Sequence, residues 1–360
     1  MKNCDNAPPT RRFEVIEAFS LDQNLISVWE GIRANDSAYT HPHFSPHFVV
    51  AAARSIPNVK VAVVYDNDSP VGFFPFQHTG QVGWPAAYPF NETHGLVHRP
   101  DLEIEAKELC REAGLGAWHF DHLPSEQQWS QPYQRAYDDA AWIELPEDHE
   151  AYLESRRASG TSQLKQADRK RRKVAREVGP VRYVDQIRDP KAIESLIAWK
   201  HTQTLGSKSG KVFESDHTKT LLSDILAIEQ PNVSGKLSGL YAGDRLIALH
   251  LGMRCRSTYV SMIPAHDPEF AAYSPGLILH LEMIQVACEQ SVTDIDLGRG
   301  INRVKAALMT STRKLAIGSI DCRPFRKLAT NSWYWLRSYA HSSKVGNRLL
   351  MLRRQLKLCK

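Results

Sequence analysis

Apolar and polar residues alternate from Phe13 to Phe19 (FEVIEAF), the period of a half-buried strand. The period then lengthens. Between Leu21 and Asn35, Leu25, Ile26, Trp29 and Ile32 fall on one face of an amphipathic helix. Val59 to Tyr65 is a strongly apolar strand. The turn cluster Asp66-Asn67-Asp68-Ser69 follows it, and then a second strand, Pro70 to Gln77, so the pair reads as a β-hairpin. Residues 80–100, rich in Gly, Pro, His and aromatics, read as a loop. Glu103 to Ala113 reads as a short helix, Ala117 to Leu123 and Ala141 to Leu145 as strands, and this half ends near Pro146.

Glu150 to Val178 is helical by composition and is stopped by Gly179-Pro180. A strand from Pro180 to Ile187 leads to Asp189-Pro190, an N-cap followed by a first-turn proline. The helix they open carries Ile193, Leu196, Ile197 and Lys200 before Gly206. Lys236 to Ala242, the turn Gly243-Asp244, Arg245 to Arg254 and Ser257 to Pro264 predict three antiparallel strands. Ser274-Pro275-Gly276 introduces a long apolar helix, Leu277 to Glu289. Thr293 to Leu297 is a strand, Gly298-Arg299-Gly300 a sharp loop, and Leu315 to Cys322 a last strand. VAVVYDNDSPVGFFPF and LSGLYAGDRLIALHLG share one plan of strand, Asp/Gly turn and strand, and each half starts with a strand and a helix. An internal duplication is the natural reading, and 360 residues have room for two such domains.

Composition is ordinary for a globular chain, 42% apolar and 24% charged, which excludes collagen-like, disordered and disulfide-scaffold classes. The six cysteines are scattered without a C-x-x-C pair, so they suggest neither a zinc set nor a disulfide framework and fit a reducing compartment. Residues 1–13 lack an apolar core, and no stretch reaches the roughly 18 apolar residues of a membrane span. The expected location is therefore the cytoplasm. The net charge of +5 hides a segregation. Cys322 to Lys360 holds ten Lys/Arg and no acid, and Arg156 to Arg176 holds nine against one, Asp168. Without those blocks, +10 and +8, the other 300 residues carry −13. Such blocks contact phosphate, membrane headgroups or an acidic partner, or are simply solvated.

The loop after Pro264 feeds the N-terminus of the apolar helix, where free N–H groups and the helix dipole suit an anion. Tyr273-Ser274-Pro275-Gly276 fits that task or a plain helix start. Pro275 begins the helix without wasting a donor, and Gly276 allows close approach. His41, His43 and His47 (HPHFSPH) have metal-ligand types but lack acidic or Cys neighbours in sequence, so no metal is expected. His94, His98, His119 and His122 read as surface or lobe-interface residues. The loop TGQVGWPAAYPFNETHG suits an acceptor pocket at the lobe junction.

GLYAGDRLIALHLGMR, IPAHDPEFAAYSPGLILHLEMIQVACEQ and DIDLGRGINRVKAAL resemble the acyl-CoA N-acyltransferase (GNAT) superfamily. The closer likeness is to its two-lobed branch of cellulose-biosynthesis-associated acyltransferases. VGFFPFQ at Val71 to Gln77 matches the first lobe's hairpin, and RKRRKVAREVG at Arg169 to Gly179 matches an arginine-rich connecting helix. The likeness runs from about Phe13 to Cys322 and is most specific in the last third. It implies an α/β (α+β) fold of tandem GNAT-like lobes, each a mixed, mainly antiparallel sheet flanked by helices. The expected division is a first lobe at 1–148, a basic connecting helix at 149–179, an acyl-CoA-binding lobe at 180–325 and a basic amphipathic C-terminal helix at 326–360.

The resemblance also implies acyl-CoA, acetyl-CoA in the first instance, as co-substrate, with its pyrophosphate on Tyr273, Ser274, Pro275, Gly276 and Leu277. The superfamily's loop is usually richer in Gly and preceded by a basic residue, whereas here Ala271-Ala272 precede Tyr273 and Gly276 is alone. Acyl transfer needs a base and a donor for the oxyanion. His250 is one base candidate, a core histidine its other reading; Asp267 is a second, or a turn aspartate. Asp296 and Lys305 frame the loop DLGRGINRVK, as an ion pair or, with Arg299, as candidate acceptor grips. Tyr259 is a proton donor for the departing thiolate or a packing residue. The expected function is direct acyl transfer from acyl-CoA to a sugar, amino sugar or polysaccharide precursor. The protein would then sit in the cytoplasm, with the tail resting on an anionic membrane or a synthase. The alternatives are a Fem-type transferase using aminoacyl-tRNA, the one reading with a nucleic-acid partner, and a non-catalytic partner of a polysaccharide synthase.

Overall fold

The computed structural model describes residues 11–206 and 210–323. The basic tail expected at 326–360 lies outside them. The first half runs β1 (Arg11–Glu17), α1 (Gln23–Ala34), α2 (Pro46–Ser55), β2 (Val59–Asp66), β3 (Ser69–Thr79), β4 (Val82–Pro85), β5 (Val97–His98), α3 (Ala106–Glu112), β6 (Ala117–Pro124) and β7 (Gln134–Glu144). Two helices connect, α4 (His149–Ala158) and α5 (Gln163–Glu177). The second half runs β8 (Val181–Val184), α6 (Pro190–Thr204), α7 (Asp216–Leu226), β9 (Glu229–Gln230), β10 (Val233–Ala242), β11 (Arg245–Cys255), β12 (Thr258–His266), α8 (Pro275–Glu289), β13 (Asp294–Arg299), α9 (Arg303–Leu308) and β14 (Ser311–Asp321).

The hairpins form where the patterns place them. Asn67 and Asp68 both take positive φ in the β2–β3 turn, and Gly243 does so between β10 and β11. Asp189 caps α6 by accepting from the Lys191 amide at 2.9 Å. Three local readings change. The helix expected over 150–178 is two, because Gly160 sits at φ +79 between them. The loop expected over 80–100 contributes β4 and β5 to the sheet. α2 and α7, not expected, pack against each other, with Ser55 Oγ donating to Asp224 Oδ2 at 2.9 Å.

All strands join one sheet, with the path β1-β2-β3-β4-β6-β14-β7-β13-β12-β11-β10-β8. The duplication is visible in that order. Reading inward from each edge, β1-β2-β3-β4-β6 mirrors β8-β10-β11-β12-β13. In each lobe one junction is parallel, β4 with β6 and β12 with β13, while the remaining pairs are antiparallel. The last position of each lobe is exchanged: β14 lies beside β6, and β7 lies beside β13. β7 and β14 pair with each other, closing the sheet across the lobes. A hydrophobic core spans both halves, from Trp29, Phe48 and Phe73 to Leu221, Leu249 and Met253.

Candidate active site

The parallel junction of the second lobe sets the site. β12 and β13 pair at Thr258↔Asp294, Tyr259↔Ile295 and Val260↔Asp296, after which the pairing stops while β12 runs on to His266 and β13 to Arg299. Two lysines reach carbonyls of the parted ends. Lys200 of α6 donates to Pro264 O at 3.0 Å, and Lys305 of α9 donates to Gly298 O and Arg299 O, each at 3.0 Å. Burial lowers both ammonium pKa values. The Lys305 charge adds to the effect on Lys200 and the Arg299 charge to that on Lys305, while nearby Glu92 partly offsets it for both.

The first lobe closes over this opening. Asp296 is 2% exposed, its Oδ1 accepting from the Gly298 amide at 2.7 Å and its Oδ2 3.2 Å from His41 Nε2. His41 Nδ1 accepts from the His43 amide at 3.2 Å, so Nε2 carries the proton and donates to Asp296. Burial pushes the Asp296 carboxyl up to about 6, against the pull of Gly298 and Lys305. It pushes His41 well below the ordinary imidazole value, with Arg313 and Arg33 adding to it. This contact is therefore a neutral imidazole on a carboxylate.

Glu92, from the loop before β5, lies over Gly298. A Cβ at Gly298 would stand 2.9 Å from Glu92 Oε2, and Gly298 has φ +83, so glycine is required there twice over. Burial raises the Glu92 carboxyl, opposed by His122, whose Nε2 is 3.7 Å away. Its side chain nonetheless keeps 23% exposure, against 3% for that of Asp296. His43 Nδ1 accepts from the Glu92 amide at 2.8 Å, so His43 Nε2 bears the proton; it is buried and has no acceptor. Arg299 ties the lobes by donating to Asp121 O at 2.9 Å and pairing with Asp121 Oδ2 at 3.2 Å. His94, pushed down to about 3 by burial, accepts from the His122 amide.

The helix N-terminus lies on the same lobe. Ser274 adopts a left-handed conformation (φ 52, ψ 51) ahead of Pro275, and its side chain makes no cap. Instead Ser274 Oγ receives Lys170 Nζ of α5 at 2.5 Å. The Tyr273 hydroxyl donates to Glu177 Oε2 at 2.9 Å, and Lys173 stands 5.4 Å over the Tyr273 ring. Nothing lies within 4 Å of a Cβ built on Gly276, so that side is open; Leu277 is buried. A cation of the connecting helix, Lys170, thus stands at this turn, where the sequence itself has no basic residue just ahead of Tyr273.

The expected residues separate into groups. Asp296, Arg299 and Lys305 do come together, and Tyr273 to Leu277 form one turn. Asp267 caps a short 3-10 helix by accepting from the Glu269 amide at 3.0 Å and lies 3.7 Å from Arg245, the turn-aspartate reading. His250 is 0% exposed and both its ring nitrogens are engaged, the core-histidine reading. Tyr259, also buried, spends its hydroxyl on His250. His41, His43 and Ser45 of HPHFSPH serve turns, caps and the Asp296 contact. Among the described residues no group of three or more His, Cys, Asp or Glu has metal-holding geometry. Glu92, Lys170 and Lys200 were not singled out from the sequence; the one available signal was the loop containing Glu92. A separate cleft of about 630 Å³ runs between α4, α5 and α8, lined by Leu153, Arg157, Lys165, Arg171, Ile278 and Leu281. It holds none of the cross-lobe carboxylates.

Residues 161–306 match the acetyltransferase (GNAT) domain family. The fold is shared with FemX (TM-score 0.53, 9% identity, covering 88% of this chain and 99% of that one). It is also shared with a tandem GNAT protein from the clavulanic acid biosynthesis pathway (0.50, 12%, 88% and 99%). A conserved protein of unknown function from Bacteroides thetaiotaomicron is similar too (0.51, 11%, 81% and 97%). At these identities the likeness is one of fold. No curated protein matches in sequence. The structure is a two-lobed GNAT fold, and its GNAT domain makes the chain an acyltransferase. No helix among the described residues is long and apolar enough to cross a membrane.

Proposed function

We propose that the protein transfers an acyl group, acetyl in the first instance, from acyl-CoA to an amine or hydroxyl of a sugar, amino sugar or polysaccharide precursor. The observation that carries this reading is the cross-lobe cluster at the parted ends of β12 and β13, where Glu92, Asp296, Lys200 and Lys305 converge. The thioester arm would enter between the parted strands, with the pyrophosphate at the Gly276 turn beside Lys170. The acceptor heteroatom attacks the thioester carbonyl and gives its proton to Glu92. The new amide or ester bond forms as the C–S bond breaks, and CoA thiolate leaves. Lys200 and Lys305 place positive charge where the oxyanion develops. The unpaired Nε2–H of His43 offers a donor to an acceptor hydroxyl.

Glu92→Gln tests the assignment. Thiol release from acetyl-CoA with amino-sugar acceptors should show kcat lowered about 100-fold or more with the acetyl-CoA KM little changed. Full turnover in Glu92→Gln would sink Glu92 as the base. A second donor, aminoacyl-tRNA, is favoured by the exposed α5 cations Lys165, Arg169 and Arg172 and by the fold shared with FemX. We place the reaction in the cytoplasm, with the basic tail as the contact to an anionic membrane or a synthase. A chain ending near Thr330 should then lose binding to anionic liposomes.

A further inference from the structure

Behind the donor turn, four side chains that the acyl-transfer scheme does not use form an unbroken polar chain. Tyr259 Oη lies 3.2 Å from His250 Nδ1, His250 Nε2 lies 2.9 Å from Ser261 Oγ, Ser261 Oγ lies 3.3 Å from His280 Nε2, and His280 Nδ1 lies 2.7 Å from Gly276 O. Tyr259 and Ser261 stand two apart on β12, on one face of the strand. His250 comes from β11, where the register shifts at Leu251/Gly252. A Cβ at Gly252 would be 2.6 Å from the Tyr259 hydroxyl, so glycine there makes room for the first member. His280 lies one turn into α8, below Gly276.

Donor and acceptor roles follow by elimination. A backbone carbonyl only accepts, so His280 Nδ1 carries a proton. Its Nε2 in the neutral ring then accepts, and the donor is the Ser261 hydroxyl. Ser261 Oγ in turn accepts from His250 Nε2–H, which leaves His250 Nδ1 to accept from Tyr259. All four groups are held neutral: burial lowers both histidines and raises the tyrosine. Every proton in the chain points toward the first turn of α8. The two histidines must therefore hold opposite tautomers, Nε2–H on His250 and Nδ1–H on His280.

We propose that Tyr259, His250, Ser261 and His280 are positioning residues that fix the first turn of α8, through the Gly276 carbonyl, in the conformation that receives the acyl donor. The role rests on the reading of that turn as the acyl-CoA site. A fully satisfied polar chain within the largely apolar core of the lobe specifies one geometry where apolar packing would tolerate several. Ser261 is the link whose loss disconnects His280 from the sheet.

Nitrogen-15 NMR of histidine-labelled wild-type protein reads the tautomers directly. The expected result is Nε2–H for His250 and Nδ1–H for His280; the same tautomer on both overturns the chain, whether or not any variant folds. In Ser261→Ala, the His280 signals should shift and the acetyl-CoA Kd should rise about tenfold with kcat within twofold, and Ser261→Thr should restore both. Unchanged affinity in a folded Ser261→Ala overturns the positioning role. A wild-type protein that binds no acetyl-CoA overturns the donor reading and the positioning role with it, while the tautomers still report the chain itself.

Discussion

Replacing Asp296 by Asn separates charge from shape at the contact that joins the lobes. Asp296 accepts from His41 Nε2 at 3.2 Å and from the Gly298 amide at 2.7 Å, and it is buried. Its carboxyl is raised by burial from 3.8 to about 6. An acid raised in this way destabilises the native state once it ionises. Nothing is lost below the unfolded pKa, the loss grows as pH climbs from about 4 to about 6, and it stays constant above that at ~3 kcal/mol. Asn escapes that loss. However, its NH₂ must face a donor, either His41 Nε2–H or the Gly298 amide, and a buried donor without an acceptor costs about 1–3 kcal/mol at every pH. Urea unfolding of Asp296→Asn and wild type should therefore show the variant less stable by about 1–3 kcal/mol at pH 4. By pH 7 the difference should move in the variant's favour by ~3 kcal/mol. A difference that stays constant between the two pH values would refute the raised carboxyl and the neutral-imidazole description of the pair.

Lys170→Ala should weaken acetyl-CoA binding about three- to tenfold in calorimetry, and less at high salt, because Lys170 is the cation placed on Ser274; equal affinity would remove it from the donor site. Gly252→Ala would put a Cβ 2.5 Å from Val260 O and 2.6 Å from the Tyr259 hydroxyl, so it should destabilise by about 1–3 kcal/mol in thermal unfolding; no change would mean the strand relaxes freely at its bulge.

What the chain disclosed in advance follows the range of each interaction. The hairpins, α6 and α8 were legible because period, turn residues and caps act over a few positions. Ser159-Gly160-Thr161 already carried a break signal that the basic composition of the segment masked. The exchange of β7 and β14 left no local trace, since each pairs with strands far away in sequence. α2 was hidden because HPHFSPH invites a chemical reading, whereas Ser45 there caps the helix by accepting from the His47 amide. The site divides the same way. Asp296, Arg299 and Lys305 were legible because one sharp loop holds them. Glu92 and Lys200 reach the cluster from a first-lobe loop and a second-lobe helix, and Lys170 reaches Ser274 from the connecting helix. No spacing rule links any of them to the loop they meet. His250 was noticed for its chemistry, but only packing reveals that it is sealed beneath Ser261.

Thermal unfolding with acetyl-CoA and with aminoacyl-tRNA, run on wild type and on Gly276→Glu, tests the central claim most directly. A Cβ at Gly276 meets open space, so the change adds bulk and negative charge to the turn without a clash in the fold. Stabilisation of wild type by acetyl-CoA, lost in Gly276→Glu, is the predicted result. Stabilisation by aminoacyl-tRNA alone, or an acetyl-CoA shift that survives in Gly276→Glu, would contradict it.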